Sequence, residues 1–575
     1  MILQALTRLF EDLTQRGDIP KPGWSPSKIS FALSLDEAGT LKAVVPLLHE
    51  ESVGKKTQLS PTTMALPSPV KRSANVAPNF LWDNSGYLLG VDAKGKPERS
   101  RSCFLACGEL HHRLLDGVDS PTARGILAYF DSWKPESAAE HPALADCLQE
   151  VIGAANLVFR VNGIFAHEDP LICAAWDAHY SDAPGEKQQC LVTGNLDVAE
   201  AVHPALKGVA GAQSSGAAIV SFNAPAFWSY GKEQSLNAPV GKHAAFAYTA
   251  ALNHLLADRK NVHRIGDTTV VCWAEGAEPQ YSTFAGLSLF GDNRPDSLSE
   301  DDLRAALYRL AQGLPCEELK LDPNRPFYIL GLAPNAARLS VRFFYRNSFG
   351  EMMHHVKDHH ARMEITGNRY AIMPLWLMLQ ETVNRNTTDK SPSPVLAGAV
   401  TRAIFMGTAY PAALLEAVML RIRAERDVTP GRAAILKAYY LKNPSEQCPK
   451  EVLTVSLNEN STNIPYTLGR LFAVYEAVQE AANPGINATI KDKYFNSAAS
   501  TPAVIFPILD NLCQKHLRKL SDGLRITLDR KIGALKDVLG ESYPVRLSLP
   551  EQGSFNLGYY HQKQSRYTKK EEKSS

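Results

Sequence analysis

The chain has 575 residues, of which 45% are hydrophobic and 21% are charged. This length and composition predict a globular protein of two to four domains rather than one core. The 61 Lys and Arg residues nearly balance the 60 Asp and Glu residues, which gives a net charge of +1. The balance excludes a uniformly basic coat protein for nucleic acid, so any nucleic-acid contact must come from local patches.

Nine scattered cysteines without a Cys-x-x-Cys pair favour reduced thiols and a cytoplasmic location. No apolar run is long enough to span a membrane, so we expect no membrane partner.

Up to about residue 350, predicted strands and helices are mixed. The first 15 residues have the spacing of an amphipathic helix, and two apolar runs around a turn at 37–40 predict a β-hairpin. The Ser-, Thr- and Pro-rich segment 50–77 is interpreted as a mobile loop that becomes ordered on a partner. Further predicted strands are 157–161, 189–193, 267–274, 327–332 and 339–346, with a strand–turn–strand over 79–91; further predicted helices are 100–115, 243–256 and 301–311.

Beyond about residue 350 only helical patterns remain, separated by Pro, Gly and Asn. The segment NRNTTDKSPSP, 384–394, is the clearest candidate for a linker. The chain is therefore predicted to be an α+β protein. A mixed α/β body with antiparallel strands covers 1–390, and an all-helical bundle covers 391–575.

A glycine-rich stretch, 208–240, is the first candidate site: GVAGAQSSGAAIVSFNAPAFWSYGKEQSLNAPV. Its glycines let the backbone approach a ligand closely. Its polar side chains are mostly uncharged, and they offer hydrogen bonds but no general base or activated nucleophile. A recognition loop and a purely structural turn are both compatible with this composition. The candidate residues are Gln213, Ser214, Ser215, Asn223, Lys232, Gln234 and Asn237.

Two clusters resemble metal sites. Cys103, Cys107 and His111 are spaced four residues apart on one helix face, but a structural zinc site takes four ligands from two pairs. A buried helix face is therefore favoured there.

The segment MMHHVKDHH, 352–360, places His355 and His359 at i,i+4 spacing. Because the glutamate of the HExxH motif is absent, a solvated helix face is favoured over a metal site. No P-loop and no nucleophile elbow is present. The sequence thus predicts no catalytic residue, no bound metal and no cofactor.

The C-terminal region is locally basic, with 15 Lys and Arg residues against 9 Asp and Glu residues in 486–575. A solvated helix face and a track for the phosphates of a nucleic acid strand are both compatible with this excess. The candidate cations are Arg421, Arg423, Arg432, Lys491, Lys493, Arg518, Lys519, Arg525, Arg530 and Lys531.

Long strings of the chain are similar to one known family. They include PNFLWDNSGYLLGVDAKGKPERS, KGVAGAQSSGAAIVSFNAPAFWSYGKEQSLNAPV and LSLPEQGSFNLGYYHQKQ, and they follow one another from the first residues to the last. On these strings the chain resembles the large subunit of the type I-C CRISPR surveillance complex, Cascade.

The resemblance implies a non-catalytic, RNA-guided function in the cytoplasm of a prokaryote. The large subunit would recognise the protospacer-adjacent motif on duplex DNA, promote unwinding and R-loop formation, and recruit a separate helicase–nuclease. Its other partners would be the subunit that binds the 5′ end of the crRNA, the backbone subunits, and small subunits made from its own C-terminal region.

The resemblance also assigns roles to the candidate residues. The polar residues of 208–240 would read the motif, where uncharged groups suit the degenerate code of the minor groove. The cations of the C-terminal region would hold the displaced non-target strand. A second motif-binding group would be Lys71, Arg72, Asn75 and Asn79, which could clamp the duplex phosphates. The remaining alternatives are a metal-dependent nuclease that uses His355, Asp358 and His359, and a purely architectural scaffold.

Overall fold

The computed structural model describes residues 1–53, 56–70, 72, 76–93, 95–153, 155–181, 185–258, 262–291, 298–370, 372–388 and 390–571. The chain divides into two compact units. The N-terminal unit comprises 1–204 and 221–251, and the C-terminal unit comprises 205–220 and 252–575. The sequence predicted a division near 390 instead, and the difference arises from a core shared across that position, which is described below.

Among the described residues, the N-terminal unit contains two larger sheets and an antiparallel hairpin of β9 and β10, together with helices. One is a three-stranded antiparallel sheet in the order β1-β5-β4, and the other has the order β3-β2-β7-β6 with β8 beside β7. Among the described strands of this unit, β2 and β7 are the one parallel pair. The elements are α1 (Ile2–Gln15), β1 (Trp24–Ile29), β2 (Phe31–Leu35), β3 (Leu41–Pro46), β4 (Leu48–Val53), β5 (Lys56–Pro67), β6 (Trp82–Asn84), α2 (Ser85–Leu88), α3 (Pro97–Leu115), α4 (Pro121–Ser132), α5 (Leu148–Ile152), β7 (Asn156–Val161), β8 (Ile164–Phe165), α6 (Pro170–Ser181), β9 (Lys187–Gln189) and β10 (Leu196–Val198).

The predicted helix over 1–15 and the predicted hairpin of β2 and β3 are confirmed. The prediction of a mobile loop over 50–77 is wrong for its first part, because β4 and β5 form a hairpin there and β5 pairs with β1. The strand β5 contains three threonines, at 57, 62 and 63, and threonine suits a half-buried strand. The second strand expected within 79–91 is instead the short helix α2, which the Asn84 side chain caps.

The helix α7 (Lys242–Ala257) begins in the N-terminal unit and ends in the C-terminal unit. The C-terminal unit then forms a four-stranded antiparallel sheet in the order β11-β12-β13-β14, followed by helices. The elements are β11 (Val262–Ile265), β12 (Thr268–Ala274), α8 (Pro279–Ala285), α9 (Glu300–Ala311), β13 (Pro326–Asn335), β14 (Arg338–Ser348), α10 (Phe349–Met363), α11 (Leu375–Gln380), α12 (Pro394–Phe405), α13 (Ala412–Glu425), α14 (Pro430–Lys442), α15 (Ile464–Ala482), α16 (Ile490–Ser500), α17 (Pro502–Leu517), α18 (Asp522–Leu539) and α19 (Leu549–Glu571).

One continuous hydrophobic core joins the sheet of the C-terminal unit to its helices. It runs from Ile265 through Phe343 and Val400 to Tyr560 without a break at the predicted linker. Helices on both sides of 384–394 therefore share one core, which explains why the compact unit begins well before residue 390. The predicted α+β class is confirmed: antiparallel sheets lie with helices in the first part of the chain, and the long regular elements described after residue 348 are helices.

The helices α15 and α19 cross at two glycines. A Cβ at Gly469 would lie 2.0 Å from the carbonyl oxygen of Phe555, and a Cβ at Gly558 would lie 2.0 Å from the carbonyl oxygen of Tyr466. Both distances are far below van der Waals contact, so any side chain at either position forces the two backbones apart.

We expect Gly558→Ala to lower the free energy of unfolding of the C-terminal unit by about 1–3 kcal/mol, because it overpacks a backbone contact that cannot yield. Thermal unfolding followed by circular dichroism measures this. Gly533→Ala in α18 is the matched control. A Cβ there meets nothing within 4 Å, so it should stabilise that helix by about 0.5–1 kcal/mol. Equal melting temperatures for the two variants would contradict the close crossing.

Candidate nucleic-acid interface

The glycine-rich stretch 208–240 is divided between the two units at residue 220. In the C-terminal unit it forms a turn, Gln213–Gly216, that we call the polar turn. Gly216 N–H donates to the carbonyl oxygen of Gln213 at 2.9 Å, and Leu206 and Ala217 exchange N–H···O bonds of 2.8 and 2.9 Å beneath it. Backbone hydrogen bonds therefore fix the polar turn without a contribution from its side chains.

Glycine is required at the base of the polar turn. Gly216 has φ of 103°, a conformation that is costly for residues with a Cβ. A Cβ there would also lie 2.7 Å from the Cβ of Ala205. The glycines that the sequence emphasised therefore shape the turn, and the polar residues beside them form its tip.

The side chains of Gln213, Ser214 and Ser215 are exposed. Within the described part of the chain, none of the three takes part in a hydrogen bond or ion pair through its side chain. A turn that is held by its backbone and presents three unpaired amide and hydroxyl groups has the chemistry of a recognition loop.

The second half of the stretch, 221–240, belongs to the N-terminal unit and is organised by Asn237. The Oδ1 of Asn237 accepts from the Ser229 N–H at 2.7 Å, and its Nδ2 donates to the carbonyl oxygens of Lys232 and Gln234 at 2.7 and 2.8 Å. The amide of Asn237 is therefore occupied by the fold. The side chains of Asn223, Lys232 and Gln234 are exposed.

The same loop exposes three aromatic side chains that the sequence interpretation omitted. Tyr230 is 100% exposed, and Phe227 and Trp228 are 41% and 36% exposed. The backbone of Tyr230 has φ of 54°, which is unusual for a bulky residue. The string AFWSYGK was the available signal, because aromatic residues beside a lysine in a Gly- and Asn-rich turn are typical of base-stacking surfaces.

The second predicted motif-binding group lies partly outside the described residues, which include neither Lys71 nor Asn75. Arg72 is bound inside the N-terminal unit: it forms an ion pair with Asp83, its Nη1 donates to Asp83 at 2.9 Å, and its guanidinium lies 4.2 Å from the ring centre of Tyr87. Although burial opposes the charge, the hydrogen bond with Asp83 raises the pKa of Arg72. Asn79 is buried and accepts from the Val70 N–H at 2.9 Å. Both residues thus hold the fold together.

The predicted strand-binding cations fall into two groups. Arg432 is fully buried and forms ion pairs with Glu381 and Glu425, which corrects its assignment to an accessible surface. Arg421 faces Glu425 at 3.6 Å and Lys491 faces Asp427 at 3.3 Å. In addition, Arg423 Nη2 donates to the side-chain oxygen of Gln552 at 2.7 Å. These four cations serve the C-terminal unit itself.

The second group is accessible and lies largely at the α17–α18 hairpin. Arg518 and Lys519 follow the end of α17, and Arg530 is exposed on α18. Residues 521–527 are all exposed, so the first half of α18 projects from the unit. Lys493 is exposed on α16, Arg525 pairs with Asp522 at 2.8 Å, and Lys531 is half-buried.

The Cys-rich face of α3 is buried, as the sequence interpretation favoured. The Nε2 of His111 accepts from the Leu81 N–H at 3.0 Å, and its Nδ1 donates to the carbonyl oxygen of Cys107 at 2.7 Å. Burial lowers the pKa of His111 to about 4 and raises the pKa of the Cys107 thiol. This neutral imidazole and protonated thiol are structural.

The favoured interpretation of the His-rich segment as a solvated face is wrong for half of it. His359 and His360 are buried in α10; His359 Nδ1 lies 2.7 Å from the Tyr410 hydroxyl, and His360 Nε2 donates to the carbonyl oxygen of Ser288 at 2.7 Å. His355 Nδ1 donates to the carbonyl oxygen of Phe405 at 2.7 Å. Burial lowers the pKa of His359 and, to about 4, that of His360. Across the described ranges no group of three or more His, Cys, Asp or Glu residues is placed to hold a metal ion.

Comparison with known proteins places the chain among the CRISPR-associated proteins. A family model described as "CRISPR-associated protein (Cas_Csd1)" matches residues 6–567. The chain belongs to this family, which supports a role as a Cascade large subunit. No curated protein is significantly similar to the chain. None of the helices among the described residues has the length and apolar character that a bilayer crossing requires.

Proposed function

We propose that this protein is the non-catalytic large subunit of a type I-C Cascade, located in a prokaryotic cytoplasm. It recognises the protospacer-adjacent motif on duplex DNA, promotes unwinding and R-loop formation, and recruits a helicase–nuclease in antiviral defence. One observation carries the motif-reading part: the polar turn is held by backbone hydrogen bonds, and the side chains of Gln213, Ser214 and Ser215 on it are exposed and unpaired among the described residues. Membership of the Cas_Csd1 family supports the assignment.

The chemistry of the polar turn suits a short, permissive motif. One amide and two hydroxyls both donate and accept hydrogen bonds, and they carry no charge that would bind every duplex equally. Non-specific affinity would come from separate cations, because phosphate contacts position a duplex while contacts with base edges specify it. Arg72 binds Asp83 and Asn79 binds the Val70 N–H inside the N-terminal unit, so the proposed motif readers do not include these two residues.

The loop 221–240 supports the unwinding part of the proposal. The exposed rings of Trp228 and Tyr230, together with Lys232, form the type of surface on which unpaired bases stack. Stacking compensates for part of the energy that opening a duplex requires.

The motif-reading role is tested with the assembled crRNA-containing complex. We expect the triple variant Gln213→Ala, Ser214→Ala and Ser215→Ala to reduce the preference for a duplex with an intact motif over one with a scrambled motif by about 10- to 100-fold, because each specific base contact contributes about 1–3 kcal/mol. Equilibrium binding to both duplexes at fixed salt measures the preference.

Gln149→Ala removes an exposed glutamine of the N-terminal unit and serves as the matched control; its preference should equal that of the unaltered protein. An equal loss of affinity for both duplexes in the triple variant would assign the turn a structural role. A complex that assembles but shows no motif preference, with or without the substitutions, would favour an architectural scaffold. Metal-dependent cutting of DNA by the isolated chain would favour the nuclease alternative.

A further inference from the structure

The N-terminal unit contains a cavity of about 480 Å³ that is separate from all the residues discussed above. Its wall is formed by residues 21–22, the end of α6, the β9–β10 hairpin and the start of α7. This volume lies within the range of small-molecule sites, and it is several times larger than a single phosphate ion or water molecule needs.

The two carboxylates in the wall are already engaged. Asp177 forms an ion pair with Lys21 and accepts from Trp24 Nε1 at 2.7 Å. Asp197 accepts from the His243 N–H at 3.1 Å at the start of α7 and from the Val198 N–H at 2.7 Å. The charge of Asp177 is therefore compensated by Lys21, whereas Asp197 keeps its charge and caps the start of α7.

Two further ammonium groups line the cavity, those of Lys187 and Lys242. Over the ranges that the structure describes, neither forms an ion pair. The wall therefore carries the three ammonium groups of Lys21, Lys187 and Lys242 against two carboxylates, which leaves a net charge of +1. Such a wall attracts an anion.

The remaining wall is aromatic and amide-bearing. The ring of Tyr180 is packed closely over Gly23, where a Cβ would lie 2.8 Å from the ring. Burial, with smaller effects from Glu200 and Asp197, raises the pKa of Tyr180, so its hydroxyl remains a donor at neutral pH. Asn195 also lines the cavity, and its amide offers both a donor and an acceptor. An aromatic ring and an amide could contact a base, and the two lysines beside them could contact a phosphate attached to it.

We propose that this cavity binds a nucleoside 5′-phosphate, with the phosphate at Lys187 and Lys242 and the base at Tyr180 and Asn195. The nucleotide is either free or the 5′-phosphorylated end of a strand; both present the same chemistry. The proposal does not depend on motif reading by the polar turn, because the two sets of residues do not overlap.

The test uses the full-length chain and adenosine 5′-monophosphate, adenosine, inorganic phosphate, and a trinucleotide with or without a 5′-phosphate. Isothermal titration calorimetry should detect saturable binding of the monophosphate, at least about 10-fold tighter than that of adenosine or inorganic phosphate. The double variant Lys187→Ala and Lys242→Ala should weaken this binding by about 10-fold or more. Lys207→Ala with Lys450→Ala removes two exposed lysines elsewhere and should leave it unchanged.

The two sources are distinguished by the trinucleotides. Tighter binding of the 5′-phosphorylated trinucleotide than of the monophosphate assigns the cavity to a strand end, and exclusion of both trinucleotides assigns it to a free nucleotide. The proposal is overturned if no phosphorylated probe binds saturably, if inorganic phosphate binds as tightly as the monophosphate, or if both double variants lose binding equally. Unchanged circular dichroism and melting temperature verify that the variants are folded.

Discussion

Replacement of Arg432 by alanine is expected to lower the free energy of unfolding of the C-terminal unit by about 3–5 kcal/mol. Arg432 is fully buried near the start of α14. It forms ion pairs with Glu425 and, at 3.4 Å, with Glu381, and its Nη1 donates to the carbonyl oxygen of Asp427 at 2.9 Å. Removing the guanidinium leaves Glu381, itself 7% exposed, without its buried counter-charge.

The cause of this loss is desolvation rather than the attraction itself. Glu381 would keep only the largely exposed Arg385 guanidinium at 3.5 Å and the Thr429 hydroxyl, so the folded state must either hold a poorly compensated buried charge or take up a proton. Chemical denaturation followed by tryptophan fluorescence and circular dichroism measures the change.

Arg525→Ala is the matched control, because Arg525 is exposed and its one ion pair among the described residues is with Asp522, on the same helix. Exposed pairs of this type contribute less than about 1 kcal/mol. If Arg432→Ala unfolded at the same denaturant concentration as Arg525→Ala, the buried network would have no role in stability.

Charge reversal at the α17–α18 hairpin is expected to weaken capture of the displaced strand by about 100-fold at low salt. The variant is Arg518→Glu, Lys519→Glu and Arg530→Glu, all exposed side chains. Each phosphate contact that is lost should also reduce the slope of log affinity against log salt by about 0.7 for a single strand. Three lost contacts predict a slope that is smaller by about 2.

The measurement uses the assembled complex on target duplex. Permanganate footprinting reports on exposed thymines of the non-target strand, and titration with salt gives the slope. The variant Lys96→Glu, Arg113→Glu and Lys134→Glu reverses the same number of exposed charges in the N-terminal unit and controls for the change in net charge. An unaltered footprint and slope in the hairpin variant would mean that these cations form only a solvated face.

The sequence predicted the class of fold and most of its elements because hydrophobic periodicity is local. The spacing of apolar residues correctly predicted α1, α3, β12 and most helices after residue 350. The helix α19 was missed, because Gly553 and Gly558 interrupt a helical pattern and glycine is a poor helix former. Gly558 is tolerated because the backbone of α15 lies too close for a larger residue, and Gly553 because the ring of Tyr440 in α14 occupies the space that a side chain would need.

The candidate site shows more clearly that a local sequence pattern does not reveal whether a polar side chain is buried. Nothing local distinguishes Arg432, which is buried between two carboxylates, from Arg518, which is exposed after α17. Likewise His355 and His359 had the spacing of a metal-binding pair on a solvated face, yet the structure pairs them with Phe405 and Tyr410, 50 and 51 residues away in the chain. The string AFWSYGK indicated the exposed Tyr230 in advance. No string indicated the 480 Å³ cavity, because its lining residues come from four separate segments of the chain.

The sequence by itself determined the α+β class, the helical nature of the C-terminal half, the glycines of the polar turn and the membership of a CRISPR-associated family. Only the tertiary structure decided which charges are accessible, where the compact units divide, and which lysines face a cavity. The reason is physical: periodicity and turn chemistry act over a few neighbouring residues, whereas burial and ion pairing depend on which distant segments meet. Arg432 and Gln213, both conspicuous polar residues in the sequence, therefore have opposite roles, one inside the core and one at the tip of an exposed turn.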